Sequence, residues 1–424
     1  SLWLGGATLT LAPGAAVTAN AVRWCEGGTF NTTVNQTGGR LTVLGNNNTV
    51  STSASAIFAH WSSTCNYALS GGDFLATNAV AMLTWDGTTT WTISGSGRAY
   101  VKGVNMRGSG KTGMSTTLNL NGGVLEVGSS GIFSSGTGSS RAINLYTGTL
   151  RALDNLTVAA NAVSTAVSLK DSATGLTLDL NGKTVTWNAP LADVGKLVVS
   201  DETTEPGKLR LLGASTHSGG IALQTGTLEI GHATALGTGP LEWSGGTLDV
   251  AAVDASCGAL TVTNTVTLKV RLGMEADLSG SGSLTASAVT FNNDAADTVA
   301  VVLDLNGIDT PLAAYPILLS SVLPADATDK MTVSFVNGGP GLLETAAVAL
   351  QQREEGIYAV FTGTVPPKNL FWRNGVASGN WSLFESDTPW GLDAANGAAT
   401  FYTGIDTVNF TDTDQSSAIV NVQG

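Results

Sequence analysis

The stretch LQTGTLEIGHATALGTGPLEWSGGTLDV, Leu223 to Val250, carries nearly the same phrase twice: TGTLEI at its front and SGGTLDV at its back. Each is a glycine-led strand in which apolar and polar residues alternate, the period of a strand with one buried face. A lone coil of such strands cannot bury its inward face, so the next coil must present the same strand above it. The repetition therefore predicts that Leu228 and Ile230, then Leu248 and Val250, line one wall a coil apart. Glycine suits the corners, where the chain bends sharply and a positive φ costs it nothing.

The same pattern extends upstream. Four segments, starting at Ile57, Ala81, Val104 and Gly131, can be laid over one another. Their glycine turns begin at Gly71, Gly95, Gly122 and Gly148, at intervals of 24, 27 and 26 residues. Each has a short leading strand, a second strand (NYALS, WTIS, TLNLN, AINLY), a glycine turn and a third strand (DFLAT, RAYVK, VLEVG, TLRAL). Three short strands per repeat fit one turn of a β-helix. GGATLTL at Gly5, GGTFNTTV at Gly27 and TGGRLTV at Thr37 extend the array towards the front, and ATGLTLDLNGKTVTW from Ala173 joins it to the opening stretch. The alternative is a β-sandwich of hairpins, which would rarely keep so constant a repeat.

Composition agrees. Of 424 residues, 42% are hydrophobic and only 12% charged, against a usual charged share of about 25%. The 53 glycines, with abundant Thr and Val, disfavour helix and suit strands. The reading is an all-β parallel β-helix (solenoid) of stacked three-strand coils over residues 1–272. Residues 273–365 read as terminal coils with a β-rich cap, because an open end exposes unpaired backbone that must be covered. The prolines of TVPPKNLF mark a linker. Residues 366–424 then form a Trp-rich tail ending in two strands, DTVNF and AIVNV.

Two places carry a family likeness. In Lys208–Val250, the elements LRLLG, THSGG, GTLEI, ALGTG and GGTLDV follow in order. This closely resembles the autotransporter-associated β-strand repeat, also called the passenger-associated transport repeat, with His217 where the family has an aromatic. The tail WRNGVASGNWSLFESDTPWG resembles the tryptophan-bracketed Gly-Asn-Trp segment that often precedes such repeats in very large secreted bacterial proteins. The resemblance implies a right-handed coil, export, and an extracellular or cell-surface location on a Gram-negative-type bacterium. The family's outer-membrane barrel has no counterpart in these 424 residues.

The net charge of −13 argues against nucleic acid, whose recognition needs a basic footprint. No apolar run reaches the about 18 residues a membrane helix needs, so no membrane insertion is expected. The chain opens at Ser1 without a signal-peptide pattern, as a mature form or a segment of something longer would.

For chemistry, a glycosidase needs two carboxylates on one site. Glu126, Glu229 and Asp249 all fall late in a glycine-led strand, where alternation turns them outward as solvated residues. His60, His217 and His232 are too scattered for a metal or a triad. The glycine phrases recur as corners, which removes any phosphate-binding meaning. Acidic turns at Asp294, Asp297, Asp412 and Asp414 offer hard oxygen ligands for weak calcium binding or, more simply, are surface turns. Trp61, Trp85 and Trp91 could form a column that stacks on sugar rings, or, more plainly, an aromatic stack supporting the coils. Cys25 and Cys65, each near a Trp, leave open a disulfide between coils or two buried thiols.

The expectation is a non-catalytic structural or adhesive solenoid, without catalytic residues, metal or cofactor. Its main partner is itself: the tail from about Asn369 docks on the N-terminal coils of a neighbouring copy, a heterologous contact that propagates into a filament. Trp372, Trp381, Trp390, Phe401, Val408, Phe410, Ile419 and Val420 are the candidate contacts. The alternative is a carbohydrate-binding or polysaccharide-degrading module on the same scaffold, with surface glycans as partners.

Overall fold

A computed structural model of the chain describes residues 2–25, 28–45, 56–59, 62–107, 113–136, 140–273, 278, 280–292, 297–308, 311, 314–338 and 347–362. It also gives the backbone of four short strands at 369–372, 390–391, 399–400 and 407–409. The described residues are all-β, with no α-helix and two single-turn 3-10 elements, Ala160–Ala162 and Ala327–Lys330.

Thirty strands join one sheet whose pairings are parallel from Leu2–Leu4 through Met331–Val336. Parallel pairing excludes the sandwich of hairpins. The chain is a β-solenoid, and its ladders resolve into three walls. On the first, Val34, Tyr67, Trp91, Leu118 and Ile143 stand in one file. On the second, Leu178, Val199, Leu223, Trp243, Val262 and Phe291 do the same. On the third, the file runs Val185, Leu209, Leu228, Leu248, Leu268, Val301 and Val333. Nearly every member of these files is buried. Each fully buried Leu or Val contributes about 1.5–3 kcal/mol, so a continuous aliphatic column, rather than local propensity, holds the stack.

The opening stretch behaves as its repetition requires. Leu228 pairs with Leu248, and Ile230 and Val250 are buried beside them. The corner glycines Gly226 and Gly246 both have positive φ, +81° and +70°, and a Cβ on Gly246 would strike the Gly226 carbonyl oxygen. Glycine is required there twice over, by conformation and by the coil beneath.

The upstream segments stack as their turns predict: Tyr67 on Trp91 after 24 residues, Trp91 on Leu118 after 27, Leu118 on Ile143 after 25. One alignment needs correcting. VLEV at 124–127 lies on the second wall, above TLRA at 149–152, whereas TLEI and TLDV lie on the third. Any of the three corners can be turned by glycine, so a glycine-led strand does not by itself say which wall it joins.

Parallel stacking gives way near the C-terminal end. Gly356–Thr362 lies antiparallel between Ala314–Leu319 and Ala347–Arg353. These strands cover part of an edge that would otherwise offer free backbone groups. The short strands of the tail form a separate four-stranded sheet, in which Trp372 pairs with Trp390 and Leu370 with Val408.

Candidate functional site

Alternation turns every second wall residue outward, and stacking brings these residues into files at the interstrand spacing, about 4.8 Å. On the second wall, Arg98 and Arg151 lie 3.9 and 3.8 Å from Glu126, and Arg151 lies 2.8 Å from Asp179. Arg40 pairs with Asp73 at 3.1 Å on the same wall. On the third wall, Lys208 and Arg210 reach Glu229 at 2.9 and 2.7 Å, Lys269 reaches Asp249 at 3.5 Å, and Arg271 reaches Asp304 at 3.8 Å. These ion pairs join one coil to the next.

Glu229 and Asp249 are in register on adjacent coils, the arrangement a two-carboxylate site would need. Their environments argue against that use. Burial pushes the Glu229 carboxyl up, but its hydrogen bonds and charge contacts with Lys208 and Arg210 outweigh this and hold it below the usual carboxylate range. Asp249 accepts a hydrogen bond from the Ala251 backbone N–H at 3.0 Å and faces Lys269. Acid–base catalysis at such a pair needs environments that separate the two pKa values, one group staying protonated, and Glu229 is held ionised.

Glu126 differs. It is 3% exposed, one of its carboxylate oxygens has no hydrogen-bond partner, and desolvation raises its pKa against the opposing pull of Arg98, Tyr100 and Arg151. The sequence placed it outward but gave no sign of this burial, because the arginines that flank it come from the coils on either side. Arg151 bridges it to Asp179.

A cleft of about 430 Å³ lies at the corner between the second and third walls, lined by Ser129, Ser130, Asn155, Leu156, Thr157, Thr184 and Thr186. The Asn155 side-chain oxygen accepts a hydrogen bond from the Thr184 backbone N–H at 2.8 Å, fixing part of that lining. The cleft contains hydroxyls and one amide but no ionisable group. Among the described residues, no cluster of three His, Cys, Asp or Glu side chains could hold a metal, and no helix is long and apolar enough to cross a membrane. Asp297 is 1% exposed and accepts the Asn264 backbone N–H at 2.7 Å, so it braces a corner instead of forming an exposed turn.

The tryptophan column divides. Trp91 is fully buried among Trp24, Phe58, Tyr67 and Phe74, with Phe58, Phe74 and Tyr67 centroids at 5.2, 5.8 and 6.0 Å. It faces the interior and cannot stack on a sugar, which corrects the carbohydrate assignment for this residue. Trp85 is half-buried against Ile57, Val80 and Met82. Trp61 and His60 lie outside the described residues. Trp372, Trp390 and Val408 fall in the small sheet of the tail, whereas Trp381, Phe401, Phe410, Ile419 and Val420 lie outside the described residues.

His217 is fully buried on the first wall, where the strand has shrunk to a turn, and neither ring nitrogen has a hydrogen-bond partner. Burial alone lowers its pKa to about 4. The next coil passes over it at Gly237, φ +72°, where a Cβ would lie 2.6 Å from the imidazole Nδ1. The ALGTG phrase thus needs Gly237 because of its positive φ and the His217 carbonyl and ring below it, a packing role the repeat motif alone did not reveal.

Cys25 and Cys65 are free, fully buried thiols on consecutive coils, near enough to perturb one another's ionisation. Cys25 Sγ donates to the Thr64 carbonyl at 3.3 Å. The Cys65 side chain draws the Cys25 thiol down to about 7 despite burial, and Cys25 in turn pushes Cys65 up.

No family model matches this chain, and neither a curated protein nor a solved structure matches it.

Proposed function

We propose that this chain is a non-catalytic structural or adhesive solenoid, displayed outside the cell and joined head to tail with copies of itself. One observation carries this reading: the outward charges of the second and third walls are engaged with each other from coil to coil, and none of these carboxylates opens onto the described cleft. Side chains placed in this way rigidify a rod and leave little for proton transfer. In this reading the coils wind right-handed, the hand that parallel crossover connections take. The autotransporter-like phrases at Lys208–Val250 support export to the surface of a Gram-negative-type bacterium. The tail from about Asn369 supplies the connector, through Trp372, Trp381, Trp390 and the strands that follow. Electron microscopy of the purified chain should show filaments, and deletion of residues 366–424 should leave single short rods. Polymers unchanged by the deletion would refute the connector.

A second reading has its own support. The cleft at Ser129, Asn155, Thr157 and Thr186 is lined by neutral hydrogen-bonding groups, which suit an uncharged saccharide. A glycan array separates binding from its absence, and a reducing-sugar assay tests turnover; release of sugar from any polysaccharide would defeat the non-catalytic reading.

A further inference from the structure

We propose that Cys25 and Cys65 are a disulfide-forming pair, a covalent clamp between consecutive coils that closes in an oxidising compartment. The spacing of the two residues left their pairing open; the fold sets Cys25 Sγ 3.3 Å from the carbonyl of Thr64, the residue before Cys65. Cys25 ends the third-wall strand Val22–Trp24, and Cys65 stands on the first wall of the next coil, in register with Thr32. The chain between them makes more than one turn of the solenoid, so a bond here would tie coils that are otherwise joined by backbone hydrogen bonds and apolar packing. Closing a loop of this length restricts the unfolded chain considerably. Cys25 is also held at φ +64°, a conformation that a residue with a Cβ keeps only where its surroundings fix it. Its backbone is therefore fixed beside Thr64 and Cys65, with Sγ on the Thr64 carbonyl. Cys257, on a distant coil and half-buried, has no cysteine near it in sequence and is excluded from the pair.

The chemistry is thiol–disulfide exchange with a disulfide oxidant, such as oxidised glutathione. The Cys25 thiolate attacks one sulfur of the oxidant; the oxidant's S–S bond breaks, and one glutathione thiolate leaves. Cys65 then loses its proton, its sulfur attacks Cys25, and the second glutathione thiolate leaves as the protein S–S bond forms. Two electrons pass from the cysteine pair to the oxidant, which ends as two thiols. In the opened coils either thiol can attack first, and the balance is the same with the roles exchanged. Both thiols are fully buried, so exchange proceeds while these coils are open, during folding or by local unfolding.

The test refolds the full chain from denaturant with oxidised and reduced glutathione, then titrates thiols after acid quench and denaturation. One reactive thiol is expected, at Cys257, with peptide mapping giving a Cys25–Cys65 linkage. The oxidised chain should melt higher than the reduced one, and dithiothreitol should remove the difference. Cys65→Ala should abolish both the linkage and the dependence on reductant, and Cys25→Ser should do the same. If Cys25→Ser fails to fold at its positive φ, Cys65→Ala and the thiol count still decide the matter. Three free thiols after equilibration, a linkage through Cys257, or identical melting with and without reductant would each overturn the proposal.

Discussion

The coils over residues 56–136 and those over residues 176–272 stack on the same ladders yet fill their interiors differently. In the first group a coil takes 24 to 27 residues, and the strands run through the corners: Thr64–Thr84, Thr88–Asn105 and Ser115–Phe133. In the second, Leu209, Leu228, Leu248 and Leu268 follow one another after 19 or 20 residues, and strands are mostly three to five residues long. The difference lies on the first wall, which spans 64–69 in the early coils but only Leu191–Ala192 later. A wide coil encloses more volume than Leu and Val can fill, and the protein fills it with Trp24, Phe58, Tyr67, Phe74 and Trp91. This filling brings polar groups inside. Tyr67 donates its hydroxyl to Gln36 Oε1 at 2.6 Å, and Gln36 Nε2 donates to the Asp73 carbonyl at 2.9 Å, while the indole N–H groups of Trp24 and Trp91 find no partner. The narrow coils also bury large side chains without side-chain partners, Trp187, Trp243 and His217, but each singly, whereas the wide coils gather five rings into one cluster.

The largest expected effect tests the wide coils. Trp91→Ala should cost about 4 kcal/mol, the upper range for deleting a buried aromatic, seen as a lower urea midpoint. If it costs no more than an aliphatic truncation, the aromatic cluster is not what supports those coils. Leu228→Ala, in the narrow region, should cost about 3 kcal/mol, since the ladder above and below leaves little room to collapse.

Next comes acid. The folded pKa of His217, about 4, lies below the unfolded value of 6.5, so the native state binds fewer protons than the unfolded state between these values. The stability is fully present above pH 6.5 and is lost as pH falls through about 4, amounting to about 3 kcal/mol. Urea midpoints measured from pH 7 to pH 4 should fall less steeply in His217→Gln than in the parent chain. Parallel slopes would show that the ring is not buried neutral. The smallest effect belongs to the ion-pair files. Glu229→Gln should shift stability by less than about 1 kcal/mol, and raising the salt concentration should shrink the difference further. A loss several times larger would mean that these files, and not the apolar column, hold the narrow coils together.

Much of the architecture could be read from the chain. The spacing of Gly71, Gly95, Gly122 and Gly148 anticipates which strands stack, because coil length is written directly as a repeat period. Alternation anticipates the register of Glu229 and Asp249 on adjacent coils, but not the burial of Asp249 beside Lys269. Other features lie beyond the reach of a linear pattern. The raised pKa of Glu126 comes from burial between neighbouring coils and is opposed by Arg98 and Arg151, residues more than twenty positions away. The inward face of Trp91 follows from its alternation with Ile93, but the five-ring cluster around it gathers residues from several coils.

By itself the sequence determined that strands would stack in repeating coils, because a period-two apolar pattern punctuated by glycine can bury its face only against a copy of itself. Tertiary structure alone decided which wall each glycine-led strand joined, which thiols lay near one another and which charges paired. Those outcomes depend on lateral register between coils, a distance of about 4.8 Å in space that separates residues by nineteen positions in one place and by thirty-three in another.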